Sequence, residues 1–190
     1  MADRFITAMF LGGWLAATAS GQALGGQAMG GQAMDEYQVK AAFVLNFAKF
    51  VEWPAPAFKT PNDPIVICAI GHTPLGKALE EVIHSKSIEG RAFVFRQVSD
   101  AEGANACQIL VVPAAERKHF RSICPSLKVT GILSVGETDG FATDGGVINF
   151  KLDDGRVRFE INIDAAEREQ LHISSKLLSL AQIVRSEKSR

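Results

Sequence analysis

The stretch "PIVICAIGHTPLGKALEEVIHSK", residues 64–86, contains the structural unit from which the fold follows. Its first part, "IVICAI", is a continuous apolar run whose length is typical of a strand buried on both faces. Gly71 ends this run. Thr73 followed by Pro74 then indicates a helix start, with Thr73 as the N-cap and Pro74 at the first helical position. The sequence therefore predicts a buried strand that leads directly into a helix.

Similar segments follow along the chain. "RAFVFRQVS" (91–99) alternates as a strand does, and "CQILVV" (107–112) and "GILSVGE" (131–137) are apolar runs with the helix-like "PAAERKHFRSI" (113–123) between them. Apolar runs this continuous predict a largely parallel sheet that helices cover on both faces. We expect an α/β fold, a three-layer sandwich with a mostly parallel sheet.

The last third of the chain predicts a hairpin followed by one long helix. "GGVINFKLDDGRVRFEINI" (145–163) consists of two strand-like runs joined by Asp154-Gly155, a dipeptide favoured in two-residue hairpin turns. "DAAEREQLHISSKLLSLAQIVRSEK" (164–188) has the features of a helix with Asp164 as N-cap and Glu167 three residues later. The architecture is completed by this C-terminal β-hairpin plus long helix.

The stretch "YQVKAAFVLNFAKFVEWP", residues 37–54, predicts a helix over 37–53 with apolar residues on two faces. It is interrupted by Lys40, Asn46, Lys49 and Glu52, so a core helix fits better than a membrane span. The residue before Pro54 is pushed out of the helical region, which predicts the helix end. We expect Asn46 to be buried and hydrogen-bonded to backbone, and three phenylalanines to lie in the core: Phe43, Phe47 and Phe50.

The N-terminus has the pattern of an export signal. A short apolar stretch ends in Ala17-Thr18-Ala19, which fits the small-residue rule for cleavage, so residues 1–19 are expected to be a signal peptide. Residues 20–34 repeat Gly, Gln, Ala and Met and predict a flexible spacer. Residues 35–190 are expected to form a single domain.

Three cysteines occur in the chain, at positions 68, 107 and 124. An exported protein meets an oxidising compartment, so one disulfide and one remaining thiol are expected. Cys68 and Cys107 both lie in apolar runs that predict neighbouring buried strands, so we expect this pair to be joined. Cys124 is then expected to be a free, partly buried thiol.

The chain carries few signs of catalytic or nucleic-acid chemistry. Its formal net charge is -1, with 47% hydrophobic and 22% charged residues, so bulk electrostatics does not favour nucleic acid. No phosphate-binding glycine loop, hydrolase elbow or zinc-binding histidine pair is present. Acidic residues crowd "GETDGFATDGG" (136–146) without calcium-loop spacing, so we interpret this loop as a solvated turn. We expect no catalytic residues, metal or cofactor.

The opening helix, the hairpin with the segment that follows it, and the pair Cys68 and Cys107 together resemble the YfiR family. The resemblance covers nearly all of residues 36–184. It implies a periplasmic α/β sandwich, commonly dimeric, that represses an inner-membrane diguanylate cyclase by binding its periplasmic sensor portion. It also implies a second partner, an outer-membrane peptidoglycan-binding lipoprotein that sequesters the repressor. When the repressor is not bound to the lipoprotein, the cyclic-di-GMP level and biofilm formation would fall.

A partner surface is expected on the hairpin and the start of the helix after it. Arg158 and Glu160 share the side of a strand whose other side is apolar, and mixed charge beside apolar neighbours suits a small interface. The alternative for these two residues is a surface ion pair with each other. Two other classes stay open, a small-molecule-binding periplasmic sensor and a hydrolase with an unrecognised site. The expected partner-binding residues are Ile148, Arg158, Glu160, His172, Ser174, Ser175 and Lys176.

Overall fold

The computed structural model describes residues 28–186 except 100, 119 and 121–129. Residues 1–19, the expected signal peptide, and Cys124 therefore lie outside the described residues. The helices are α1 (Ala28–Phe50), α2 (Pro74–Val82), α3 (Ala101–Ala104), α4 (Ile163–Arg168) and α5 (Ser175–Leu178), with 3-10 turns at Ala55–Ala57 and Ala114–Glu116. The strands are β1 (Val51–Glu52), β2 (Ile65–Ile70), β3 (Ser87–Ile88), β4 (Arg91–Val98), β5 (Ile109–Val112), β6 (Leu133–Gly136), β7 (Ile148–Asp153), β8 (Arg156–Asn162), β9 (His172–Ile173) and β10 (Gln182–Val184).

The predicted α/β architecture with a mostly parallel sheet is confirmed. Eight strands form one sheet in the order β10-β8-β7-β6-β5-β2-β4-β3, and β1 pairs with β9 in a separate two-stranded sheet. Strands β4, β2, β5, β6 and β7 are parallel neighbours, as are β8 and β10. The antiparallel pairs are the β7–β8 hairpin and the short β3–β4 edge.

Two apolar cores cover the two faces of this sheet. The first packs α1 and α2 against one face, and its centre is the wholly buried Phe47, whose ring lies 5.7 Å from Phe150 and 5.1 Å from Phe159. The second core, on the other face, includes Phe141 and the disulfide cysteines. The predicted disulfide between Cys68 and Cys107 is present, because their strand β2 and the start of β5 lie side by side.

The opening helix differs from the prediction at both ends. It begins at Ala28, so the helix also includes residues 28–34, which were expected to be spacer and which contain two glycines besides alanine, glutamine and methionine. It ends at Phe50 instead of Trp53 because Val51 and Glu52 pair with β9. Asn46 is exposed, so the expectation that it is buried is wrong.

The segment after the hairpin contains two short helices, α4 and α5, separated by strand β9, and not the one long helix that was expected. Gln170 adopts a left-handed conformation with φ 55°, and β9 then pairs with β1, which places Ile173 opposite Val51. The expected N-cap Asp164 is also wrong. Asn162 caps α4, with its side-chain oxygen accepting from the Ala165 N–H at 3.0 Å.

Candidate partner-binding groove

The β7–β8 hairpin extends beyond the parallel part of the sheet. The two strands pair from Ile148 opposite Ile161 to Asp153 opposite Arg156. In contrast, only the first two residues of β7 pair with β6. Positive φ angles at Asp154 and Gly155, 47° and 72°, close the two-residue turn that the sequence predicts. The hairpin is therefore a rigid element whose outer half is free of the neighbouring parallel strand.

A groove of about 410 Å³ lies along this hairpin, lined by both of its strands and by residues at the start of β10. Two leucines beside it are unusually exposed, Leu152 at 55% and Leu180 at 70%. Exposed aliphatic side chains next to charged groups are the composition of a small protein interface. The groove is lined by Lys151, Leu152, Asp153, Arg158, Phe159, Glu160, Leu180 and Gln182.

The carboxylate of Glu160 is held inside the groove by its neighbours. Lys151 Nζ lies 3.2 Å from one oxygen of Glu160, and the Asn149 amide donates to the other at 3.5 Å. Glu160 is only 7% exposed. The hydrogen bond to Glu160, together with its negative charge, raises the pKa of Lys151. Glu160 is therefore a structural partner of Lys151, which excludes the alternative in which it pairs with Arg158.

Arg158 carries positive charge that the hairpin does not neutralise. It lies directly opposite Lys151 across the ladder, and like charges in this position repel. Glu160 is already engaged by Lys151, and within the described residues the Arg158 guanidinium has no ion-pair partner. Arg156, two residues away, differs because the acidic Asp153 lies opposite it. The groove thus presents one exposed cation that an external acidic group can complement.

The structure brings only part of the predicted partner surface together. Arg158 is exposed at the groove, as expected. Ile148 is wholly buried in the first core, so its assignment to a contact surface is wrong, because the apolar face of β7 packs beneath α1. Glu160 was expected to face outward. It is buried because Lys151 and Asn149 surround its carboxylate.

The remaining predicted residues lie in other elements. His172 is in β9, opposite Glu52, in the separate two-stranded sheet. Ser174 caps α5, with its hydroxyl oxygen accepting from the Leu177 N–H at 3.4 Å, and Ser175 and Lys176 are exposed in its first turn. None of these four lines the groove described above.

Sequence reasoning missed several residues that line the groove. Period-two alternation in "INFKLD" could have placed Lys151 on the same side as Arg158, because a two-residue turn sets the register. Leu180 and Gln182 had no such signal, since both were assigned to a long helix. The missed lining residues are Lys151, Leu152, Asp153, Phe159, Leu180 and Gln182.

A buried ion cluster fixes α1 near the base of the hairpin. Lys40 is 5% exposed, and its ammonium group lies 2.6 Å from Glu36 and 3.0 Å from Glu137. Burial by itself lowers the pKa of Lys40, but the hydrogen bonds to the two carboxylates outweigh it, so the pKa is raised. Glu137 belongs to the loop interpreted as a solvated turn, and that interpretation is wrong here because its side chain is only 11% exposed.

A second groove of about 600 Å³ lies near the starts of β2 and β4. Its main cation, Arg91, stacks over Phe58 at 3.8 Å and donates to the carbonyl oxygens of Thr60 and Asp63. These internal contacts give Arg91 a structural role. Among the residues that the structure describes, no group of three histidine, cysteine or acidic side chains could hold a metal ion.

In the part of the chain that the structure describes, no helix has both the length and the apolar character needed to cross a membrane.

Fold and groove together define an α/β protein with a candidate interaction surface on the β7–β8 hairpin. A model of the YfiR/HmsC-like family matches residues 37–182, most of the chain, so the protein belongs to the YfiR/HmsC-like family. The family is periplasmic and regulatory, and acts on diguanylate cyclase signalling. This confirms the resemblance found in the sequence.

Comparison with solved structures gives distant similarities in fold. One is the ABC domain in complex with L-Trp from Streptococcus pneumoniae, with 13% identity, a TM-score of 0.48 and coverage of 78% of this chain. Another is a conserved domain protein from Vibrio cholerae O1 biovar El Tor strain N16961, with 10% identity, a TM-score of 0.46 and coverage of 80%. The chain spans 60% of the length of each of these two chains. No functionally curated protein matches the sequence significantly.

Proposed function

We propose that this protein represses an inner-membrane diguanylate cyclase by binding the cyclase's periplasmic sensor portion at the hairpin groove. Repression lowers cyclic-di-GMP and with it biofilm formation. Membership of a regulatory family supports the general role. The protein acts in this proposal by occupying a surface of the cyclase and not by turning over a substrate.

The observation that carries the proposal is the exposed, uncompensated Arg158 beside two exposed leucines on a rigid hairpin. An apolar contact flanked by a complementary charge gives an interface both affinity and orientation. Leu152 and Leu180 supply the apolar contact. Because the hairpin is held by the sheet and by the Lys151–Glu160 ion pair, little ordering is needed on binding.

Further partners belong to the same proposal. An outer-membrane peptidoglycan-binding lipoprotein sequesters the repressor and so releases the cyclase, and the repressor itself is a homodimer in the periplasm after export. The hairpin groove binds either the cyclase or the lipoprotein, so binding of one partner displaces the other. Displacement explains how sequestration would restore cyclic-di-GMP synthesis.

The test uses a strain in which the gene is deleted and returned on a plasmid. Deletion is expected to raise the cyclic-di-GMP level, and the plasmid copy is expected to return it to the level of the parent strain. Purification of the tagged protein after crosslinking in whole cells should recover a membrane protein with a cyclase domain. Unchanged cyclic-di-GMP on deletion, with no cyclase recovered, would contradict the proposed function.

The groove itself is tested by a matched pair of charge reversals. Arg158→Glu should weaken capture of the cyclase and raise cyclic-di-GMP at normal protein abundance. Arg156→Glu is the control, because Arg156 lies on the same strand but outside the groove. If both variants captured the cyclase equally well, the groove would be excluded as the surface that binds the cyclase. Glu160→Lys is a poorer probe, since it replaces a buried carboxylate beside Lys151.

A further inference from the structure

The outer edge of β8 is open along its first half. β10 pairs with β8 only from Glu160 to Asn162. The chain before β10 folds into a turn, in which the Ala181 N–H donates to the Leu178 carbonyl at 3.2 Å, so it does not continue along β8. Within the described residues, no strand pairs with this edge of β8 before Glu160. The groove lies beside this edge, because Leu180 and Gln182 line it together with Arg158 of β8.

The backbone groups along this open edge follow from the hairpin register. A two-residue turn makes Asp153 and Arg156 a doubly hydrogen-bonded pair, and such pairs alternate along an antiparallel ladder. Arg156 and Arg158 therefore direct their backbone groups toward β7. Val157 and the N–H of Phe159 face the opposite edge, where β10 has not yet begun. Unpaired backbone groups at a sheet edge are a template for another strand.

The side chains beside this edge select what can be added. A strand laid next to β8 would place alternate side chains on the two faces of the sheet. On one face they would lie beside the half-buried Val157, with the exposed Leu152 one strand further away in β7. On the other they would meet Arg158, whose charge nothing within the described residues neutralises. An occupant that alternates apolar and acidic residues satisfies both faces.

We propose that an extended, acidic–apolar segment of a protein partner adds to this sheet as a strand along Val157–Phe159 of β8, in line with β10. This inference rests on the proposed function for the partner's identity, and it specifies how the groove recognises that partner. Main-chain hydrogen bonds give the added strand affinity, and the carboxylate facing Arg158 gives it register and specificity. Only the part of β8 before Glu160 is unpaired on this side, so the contact is a short extended segment flanked by Leu180.

The experiment measures backbone amide signals of the full-length mature protein by NMR as a blocked peptide is added. The probe is a peptide of about nine residues in which valine and aspartate alternate, a length sufficient for an edge strand. The amides of Val157 and Phe159 are expected to shift and to gain protection from hydrogen exchange. A peptide with lysine in place of aspartate, and one with proline at its centre, should bind at least about tenfold more weakly.

Two pairs of variants separate backbone pairing from side-chain recognition. Val157→Pro removes an outward N–H without removing a bond to β7 and should weaken binding of the aspartate peptide about tenfold, whereas Val157→Thr keeps the N–H, changes only the side chain and should weaken binding much less. Arg158→Gln should reduce the preference for aspartate over lysine, and Arg156→Gln should not. Melting temperatures of all variants are measured alongside, and the peptide titration of the unmodified protein decides the matter if Val157→Pro fails to fold.

Three outcomes would overturn the proposal. The first is binding of the aspartate peptide without change at the Val157 and Phe159 amides, and the second is no binding at all. The third is protection of these amides that grows with protein concentration in the absence of peptide, which assigns the edge to a second copy of this chain. The peptide titration involves no cyclase, so its failure is distinct from a failure to recover a cyclase from cells.

Discussion

Nζ of Lys40 lies 3.0 Å from Oε2 of Glu137, a contact between residues 97 positions apart in the chain. The same ammonium group lies 2.6 Å from Glu36, one helical turn away, and 6.0 Å from the centre of the Phe150 ring in β7. One buried cation thus connects the first helix, the loop after β6 and the hairpin. The position of α1 over the hairpin depends on this contact as well as on apolar packing.

Lys40→Met is expected to destabilise the fold because it leaves two carboxylates close together with little solvent. Removing one partner of a largely buried ion cluster costs roughly 3 kcal/mol. The measurement is urea unfolding followed by circular dichroism. Lys49→Met, at an exposed position of the same helix, is the control and should change stability little. Equal stability of the two variants would mean that the Lys40 cluster makes no net contribution to the free energy of unfolding.

The Lys40 cluster also predicts a pH dependence. The folded-state pKa of Lys40 is raised above its ordinary value of 10.5. A group whose pKa is raised on folding contributes stability that is fully present below the unfolded-state pKa and is lost as pH rises through the folded-state pKa. The stability difference between the natural protein and Lys40→Met should therefore be constant near neutral pH and shrink only in strongly alkaline solution. Shrinkage between pH values of about 7 and 9 would contradict this cause.

Phe47→Ala should be the most damaging change in the first helix. The side chain is wholly buried and packs against Phe150 and Phe159, so truncation should cost roughly 3–5 kcal/mol in free energy of unfolding. Val39→Ala, on the same helix but 37% exposed, should cost under about 0.5 kcal/mol. Thermal unfolding of the two variants side by side checks the difference. A small effect at Phe47 would show that the core can collapse around the lost ring.

Reduction of the disulfide between Cys68 and Cys107 should lower stability without changing the fold. The bond closes a loop over a sequence separation of 39 residues, which corresponds to about 4 kcal/mol on the chain-entropy model. Unfolding is measured with and without reductant, and in a Cys68→Ala/Cys107→Ala variant. The reduced natural protein and the double variant should unfold at similar urea concentrations. A reductant effect that persists in the double variant would assign the stabilisation to another thiol.

Gly155→Ala tests the hairpin turn through backbone conformation alone. Gly155 has φ 72°, and an added Cβ would have no neighbour within 4 Å, so the change introduces strain but no clash. The expected loss of stability is about 1 kcal/mol. Asp153→Ala, at the end of β7, is the control for substitution near the turn. If Gly155→Ala also weakens cyclase capture at normal abundance, the rigidity of the hairpin is part of recognition.

Several features of the fold could be read from local sequence. "IVICAI" followed by Thr73-Pro74 is a strand and a capped helix in the structure, with the Thr73 hydroxyl accepting from the Gly76 N–H at 2.9 Å. Asp154-Gly155 is the hairpin turn. These features are predictable because near neighbours in the chain decide them: apolar periodicity, a capping side chain, and the positive φ that glycine tolerates. The disulfide could be predicted because two such strands were expected to be neighbours in the sheet.

Long-range pairing decided the rest of the fold and most of the groove. The segment 164–188 has helical periodicity, yet pairing with β1 and β8 converts two parts of it into β9 and β10. That conversion places Leu180 and Gln182 beside Arg158 and leaves the edge of β8 open. The burial of Lys40 likewise depends on Glu137, 97 positions away in the chain. By itself the sequence determined the elements with local signals, and only the tertiary structure decided which charge stays free, because neutralisation depends on neighbours in space.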